Sequence, residues 1–106
     1  MESLSAAQVV ARLKDNLPFR LVDVREQDEW DMCRLPQAEL VPLSTFTESA
    51  LAKLLPSDEI ILYCHHGVRS ERAGLYLLSK NFINVKHLAG GIDSWSLEVD
   101  SSVKRY

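Results

Sequence analysis

The sequence lacks the features that mark secreted and membrane-spanning proteins. Two cysteines among 106 residues are too few for a disulfide framework. No apolar run approaches the about 18 residues that would span a bilayer. The first eight residues contain neither a basic start nor a hydrophobic core, so we expect no signal peptide. These absences favour a reducing, cytoplasmic setting, in which a thiol can act as a reagent.

The chain also lacks an excess of basic residues. Fifteen acidic side chains outnumber twelve lysines and arginines, for a net charge of -3, which argues against a nonspecific nucleic-acid binder. Apolar residues make up 46% and charged residues 25%, as in ordinary globular proteins. The length suits one compact domain, so we expect residues 1–106 to form a single domain.

Segments typical of strands alternate with segments typical of helices along the chain. Strands are predicted at residues 19–24, 40–43, 60–63 and 85–88, and helices follow Ser5 and span residues 26–32, 44–55, 70–80 and 92–97. This alternation predicts an α/β fold with a mostly parallel central sheet of about five strands and helices on both faces.

Local signals support several of these helices. Ser5 and Gln8 have the spacing of a capping box, which starts the first helix. In residues 26–32 the acidic side chains come early, and we expect Trp30 to face inward. The third predicted helix has apolar residues on helical spacing, namely Phe46, Leu51, Leu54 and Leu55.

Cys64 directly follows the most apolar predicted strand, residues 60–63. In parallel sheets ligands bind at the carboxyl ends of the strands, so Cys64 is the first candidate for chemistry. A short loop with Gly67 leads into the next helix, and its N–H groups can form an anion-binding nest. Together with the positive end of the helix, this nest favours a thiolate, which is the nucleophilic form of cysteine.

The loop offers further groups that could hold an anionic substrate. Gly67 permits a positive φ and a close approach to the backbone, while Arg69 can hold an oxyanion bidentately. His65 and His66 could donate to an anionic donor. The candidate substrate-binding residues are therefore His65, His66, Gly67, Val68, Arg69 and Ser70, around Cys64 as the catalytic nucleophile.

Alternatives remain open for several of these residues. A free cysteine after an apolar strand is often a small buried hydrophobe. His65 and His66 are as readily explained as solvated loop residues. A metal site is disfavoured, because one cysteine beside two adjacent histidines lacks the ligand spacing of zinc sites, and we expect no cofactor.

Three blocks of the sequence resemble the single-domain rhodanese family, and the resemblance covers nearly the whole chain. The blocks are residues 23–25 with residues 29–30, residues 64–69, and residues 88–92 with Trp95. The resemblance implies that Cys64 accepts sulfane sulfur as a persulfide, cradled by the loop amides. We interpret the charged residues Asp23, Arg25 and Glu29 as a supporting ion-pair network, in which Asp23 and Arg25 brace the loop.

The length of the loop distinguishes this chain from phosphatases of the same fold. Four residues separate Cys64 from Arg69, whereas phosphatases with this fold have a loop one residue longer, which admits a phosphate. The resemblance therefore implies a cradle sized for sulfur. A phosphatase or arsenate reductase is the weaker alternative.

Residues 33–38 depart from the family pattern and place a second thiol, Cys33, where glycine is common. We interpret Cys33 as a bystander; the alternative is a resolving cysteine that forms a disulfide with Cys64. Residues 99–106 are similar to the tails of rhodanese domains fused to cofactor-adenylating enzymes, which hints at work beside another domain or protein.

The function expected from this resemblance is sulfur transfer. Cys64 would take sulfane sulfur from thiosulfate or a persulfide donor and pass it to cyanide, a thiol or a sulfur-carrier protein. The expected partners are a small sulfur donor and a donor or carrier protein, with neither nucleic acid nor a membrane. The alternative is a non-catalytic interaction or regulatory module of the same fold.

Overall fold

Five parallel strands form the central sheet of the structure, a computed structural model that describes residues 1–15 and 17–106. The strands are β1 (Glu2–Leu4), β2 (Arg20–Asp23), β3 (Glu39–Leu40), β4 (Ile60–Tyr63) and β5 (Val85–Leu88), in the spatial order β1-β5-β4-β2-β3. The helices are α1 (Ala6–Lys14), α2 (Gln27–Met32), α3 (Phe46–Lys53), α4 (Val68–Ser79) and α5 (Gly91–Glu98). The predicted α/β fold is confirmed.

Helices cover both faces of the sheet and bury a separate apolar cluster on each. On one face α3 and α4 pack through residues such as Phe46 and Leu77. On the other, α1 and α5 pack through residues such as Val9 and Trp95. All four residues of β4 are buried between these layers, as its continuous apolar run predicts. Within the described part of the chain, no helix is long and apolar enough to cross a membrane.

Local signals in the sequence account for how α1 and α4 begin. The predicted capping box is present: the amide of Gln8 donates to Ser5 Oγ at 3.2 Å, and the amide of Ser5 donates to Gln8 Oε1 at 2.8 Å. Helix α4 begins at Val68, two residues before the predicted start at Ser70. Gly67 caps it with a φ of 115°, a conformation that other residues rarely adopt. Arg69 and Ser70 therefore lie in the first turn of α4.

Two strands differ from the prediction. The sequence pattern missed β1 altogether, because of its three residues only Leu4 is buried. Strand β1 pairs with β5, with Ser3 opposite His87. The strand predicted at residues 40–43 is only the two-residue β3, Glu39–Leu40, although the amides of Val41 and Leu43 still donate to the carbonyls of Asp23 and Val24 at 2.9 Å.

Two predicted helices are also less buried than expected. Helix α3 is shorter than the predicted residues 44–55, and of the four apolar residues on helical spacing only Phe46 and Leu54 are buried, Leu54 just past the end of the helix. Ala50 completes this narrow stripe, while Leu51 lies about 100° further round the helix and is exposed, as is Leu55. In α2 no residue is buried, so Trp30 does not face the core as expected.

Two leucines of α4 provide a matched test of the core. Leu77 is 0% exposed and Leu75 is 53% exposed. We expect Leu77→Ala to lower the free energy of unfolding by about 2–5 kcal/mol, because it leaves a cavity in the cluster under α4. Leu75→Ala should lower it by less than about 0.5 kcal/mol. Urea unfolding of both variants measures the difference, and equal losses would contradict this assignment of the buried face.

Candidate functional site

Cys64 lies at the carboxyl end of β4, where the apolar run predicted it. Its side chain is 1% exposed, and the amide of Gly67 donates to its Sγ at 3.0 Å. The Cys64 thiol also lies 3.6 Å from Ser70 Oγ, in the first turn of α4. The sulfur is therefore held by a backbone amide at the start of a helix, an arrangement that stabilises negative charge on sulfur.

The start of α5 holds the loop from the other side. The amide of Ile92 donates to the carbonyl of Cys64 at 2.9 Å, and that of Asp93 donates to the carbonyl of His65 at 3.2 Å. A Cβ at Gly91 would overlap both carbonyl oxygens, so only glycine allows this approach. These contacts keep the peptides after Cys64 turned toward α5.

Asp23 and Arg25 form a buried ion pair at the end of β2. Arg25 is 0% exposed, and its Nη2 donates to Asp23 Oδ2 at 2.7 Å and to the carbonyl of Cys33 at 2.6 Å. Burial opposes the charge, but hydrogen bonds with Asp23 and Tyr106 outweigh it and raise the pKa of Arg25. The predicted ion pairing of these two residues is present in the structure.

Glu29 and Arg69 form a second, bidentate ion pair beside the loop. The two Nη atoms of Arg69 donate to the two carboxylate oxygens of Glu29 at 2.7 and 2.8 Å. These hydrogen bonds lower the pKa of Glu29 to about 2. The guanidinium of Arg69, expected to hold an oxyanion of the substrate, thus faces a carboxylate of the protein.

Tyr106 joins the two ion pairs, and its role was missed by reasoning from the sequence. Its hydroxyl accepts from Arg25 Nη1 at 2.9 Å and donates to Glu29 Oε2 at 2.6 Å. Burial, reinforced by Glu29, raises the pKa of Tyr106, so the hydroxyl keeps its proton at neutral pH. Its ring stacks on His65, with centroids 3.9 Å apart. The sequence analysis interpreted the tail only as a hint of a neighbouring domain or protein, and no signal in the sequence pointed to this contact.

The remaining loop residues lie at different depths. The ring of His65 sits between Tyr106 and His66, and burial together with the charge of His66 lowers its pKa. His66 is exposed, with Nδ1 3.9 Å from Asp93 Oδ2. The side chain of Val68 is exposed as well, so it can serve the site only through its backbone. Across residues 1–15 and 17–106, the His, Cys, Asp and Glu side chains form no cluster that could hold a metal.

Cys33 lies at the end of α2 and is a free thiol, like Cys64. It packs against the cluster under α1 and α5, whereas Cys64 belongs to the cluster under α3 and α4. Its Sγ contacts the carbonyl of Lys104 at 3.3 Å and Arg25 Nη1 at 3.8 Å. Cys33 thus helps to hold the tail near Arg25.

Comparison with known proteins decides the family. The profile of the rhodanese-like domain matches residues 5–98. The chain belongs to the rhodanese-like family. The crystal structure of a rhodanese-like domain protein from Staphylococcus aureus superposes with a TM-score of 0.85 at 26% identity, over 100% of this chain and 99% of that one. The resemblance inferred from the sequence is confirmed.

Curated relatives of this rhodanese-like chain carry different names. A probable adenylyltransferase/sulfurtransferase MoeZ of Mycobacterium tuberculosis is 36% identical over 87 residues, which are 81% of this chain and 22% of that protein. A tRNA uridine(34) hydroxylase of Photorhabdus laumondii is 35% identical over 91 residues, 81% of this chain and 26% of that protein. The chain thus spans about a quarter of these relatives, which are sulfurtransferases and related enzymes.

The ion pair of Glu29 predicts a pH dependence of stability. Because the pKa of Glu29 is lowered to about 2 in the folded protein, its stabilisation is complete above the unfolded value of about 4.3. It is lost as the pH falls from there toward 2. We expect Glu29→Gln to cost about 2 kcal/mol near pH 7 and nothing near pH 2. Urea unfolding across this range measures it, with exposed Glu98→Gln as control; a cost independent of pH would contradict the ion pair.

The hydroxyl of Tyr106 can be tested by removing one atom. Tyr106→Phe keeps the ring on His65 but leaves buried Arg25 Nη1 without its oxygen acceptor, so we expect a loss of about 1–2 kcal/mol in unfolding free energy. Tyr76→Phe is the matched control, since within the described residues Tyr76 packs its ring edge-on against Phe46 and makes a side-chain hydrogen bond with none of them. Urea unfolding compares the two, and an equal effect would show that the bridge adds no stability.

Proposed function

We propose that this chain is a sulfurtransferase that carries sulfane sulfur as a persulfide on Cys64. The observation that carries the proposal is the hydrogen bond from the Gly67 amide to Cys64 Sγ, at 3.0 Å. An N–H group that donates a hydrogen bond in this position stabilises an anionic sulfur, whether it is a thiolate or a persulfide. The relative named adenylyltransferase/sulfurtransferase supports the same chemistry.

The proposed transfer has two steps, and in each step the bond that forms is matched by an S–S bond that breaks. The Cys64 thiolate attacks the outer sulfur of thiosulfate, forming a new S–S bond while the donor's S–S bond breaks and its electron pair leaves with sulfite. A thiophilic acceptor then attacks the terminal sulfur of the persulfide, and the electron pair returns to Cys64 as thiolate. With cyanide the product is thiocyanate. Covalent catalysis of this kind divides one hard transfer into two easier ones.

The geometry around Cys64 bears on which donor and acceptor fit. Because Cys64 is 1% exposed, a donor must present a slender terminal sulfur, as thiosulfate or a protein persulfide does. The relatives are several times longer than this chain, so we include a sulfur-carrier protein among the acceptors. Two free thiols suit a reducing compartment, in keeping with a cytoplasmic setting.

Intact mass after incubation with thiosulfate tests the proposal directly. We expect the wild-type chain to gain one sulfur atom and to lose it on addition of cyanide, because cyanide attacks the terminal sulfur. Cys64→Ser should gain none, since a hydroxyl is not a sulfur nucleophile at neutral pH. Cys33→Ser is the matched control, and it should gain and lose sulfur as the wild type does.

A gain of sulfur by Cys64→Ser, or no gain by Cys33→Ser, would contradict Cys64 as the residue that takes sulfur from thiosulfate. No gain with thiosulfate calls for a second incubation with a protein persulfide as donor. No gain with either donor would overturn sulfur transfer and favour the interaction module.

A further inference from the structure

His87 is a buried titratable group that the proposed transfer does not use. It lies on β5 and is 8% exposed, below the loop that holds Cys64. Its ring makes two hydrogen bonds, through Nδ1 to Ser70 Oγ at 3.0 Å and through Nε2 to Ser3 Oγ at 3.0 Å. Ser70 in turn lies 3.6 Å from Cys64 Sγ. A continuous polar path therefore runs from the thiol through Ser70 and His87 to Ser3.

The protons along this path can be counted. Ser70 is fully buried and has one proton to donate, with Gly67 O at 3.1 Å and His87 Nδ1 at 3.0 Å as acceptors. If Ser70 donates to Nδ1, its oxygen is free to accept from the thiol of Cys64. Ser3 Oγ then accepts from Nε2–H, which holds His87 in the neutral tautomer with Nδ1 unprotonated.

We propose that His87 is a positioning residue that accepts the proton of the Cys64 thiol through the hydroxyl of Ser70. The thiol proton moves to Ser70 Oγ while the Ser70 proton moves to Nδ1, which leaves a thiolate and an imidazolium. Sulfur transfer then needs no further proton, since Cys64 is a thiolate again at the end of the cycle. His87 keeps the proton as a buried counter-charge to the thiolate and the persulfide. The inference rests on the proposed function for its purpose.

The surroundings of His87 act on its charged form in both directions. Burial, the largest effect, lowers the pKa of His87, so the resting ring is neutral and needs a nearby negative charge to hold a second proton. From α4, Glu71 favours the imidazolium, and from the side of β1 the ammonium group of Met1 opposes it. On the other side of the relay, the hydrogen bonds with Glu29 and, to a smaller extent, the attraction to Cys64 raise the pKa of Arg69. In the proposed relay, a thiolate on Cys64 supplies the remaining counter-charge, at the other end of the path through Ser70.

The rate of alkylation of Cys64 by iodoacetamide, measured across pH, tests the relay without any sulfur donor. Cys33→Ser serves as the parent, so that Cys64 is the only thiol. In this parent, His87→Asn can still hydrogen bond with Ser70 but cannot take its proton. We expect this variant to move the midpoint of the curve of alkylation rate against pH up by about one pH unit. Alkylation near pH 7 would then be about tenfold slower. At about pH 10, well above the range in which model thiols ionise, the variant should react as fast as the parent.

Two further variants sharpen the test. Ser70→Ala breaks the same path, so it should give the same shift, and the double variant should be no slower than the slower single variant. Ser96→Ala is the matched control, because Ser96 is a buried serine that donates to Val103 O at 2.8 Å and has no link to Cys64. Its curve should superpose on that of the parent.

The possible results distinguish the relay from a change in access to Cys64. A His87→Asn curve that superposes on the parent's would overturn the proposal, as would an equal loss of rate at every pH, which indicates altered access. If the shift appears but no persulfide forms with any donor, the relay stands and the proposed function fails. If persulfide forms without the shift, the function stands and the relay is wrong.

Discussion

The guanidinium of Arg25 is a buried cation, and much of the site is arranged around it. With 0% exposure it has no access to water, so its donors need protein acceptors. Asp23, the Cys33 carbonyl and the hydroxyl of Tyr106 supply them. These acceptors come from the end of β2, the end of α2 and the tail, so satisfying one side chain brings three distant segments together. Removing any one acceptor would leave part of this buried charge uncompensated, so the side chain ties the three segments together.

Hydrogen bonds of Tyr106, at the end of the tail, connect Arg25 to the loop that follows Cys64. Tyr106 donates to Glu29, and Glu29 holds both Nη atoms of Arg69, in the first turn of α4. The amide before that turn, at Gly67, holds the sulfur of Cys64. A chain of contacts thus leads from the buried cation of Arg25 to the sulfur of Cys64. The arrangement preorganises the loop before any substrate binds.

Reasoning from the sequence succeeded where a local pattern carries the physics. The apolar run of β4 and the capping box of α1 depend on neighbours in the chain, and both are present as predicted. The prediction failed at β1, because three residues with one buried side chain show no hydrophobic periodicity. It also failed at Leu51, because helical spacing alone does not say how wide the buried stripe is.

The sequence by itself determined the family, the alternation of strands and helices, and Cys64 at the end of the most apolar strand. Only the tertiary structure decided that Arg69 pairs with Glu29, that Tyr106 bridges two ion pairs, and that His87 reaches Ser70. Tyr106 is 77 residues from Glu29, and His87 is 17 from Ser70. Hydrogen bonds between such residues depend on the order of strands in the sheet and on the path of the tail, and no spacing along the chain encodes either.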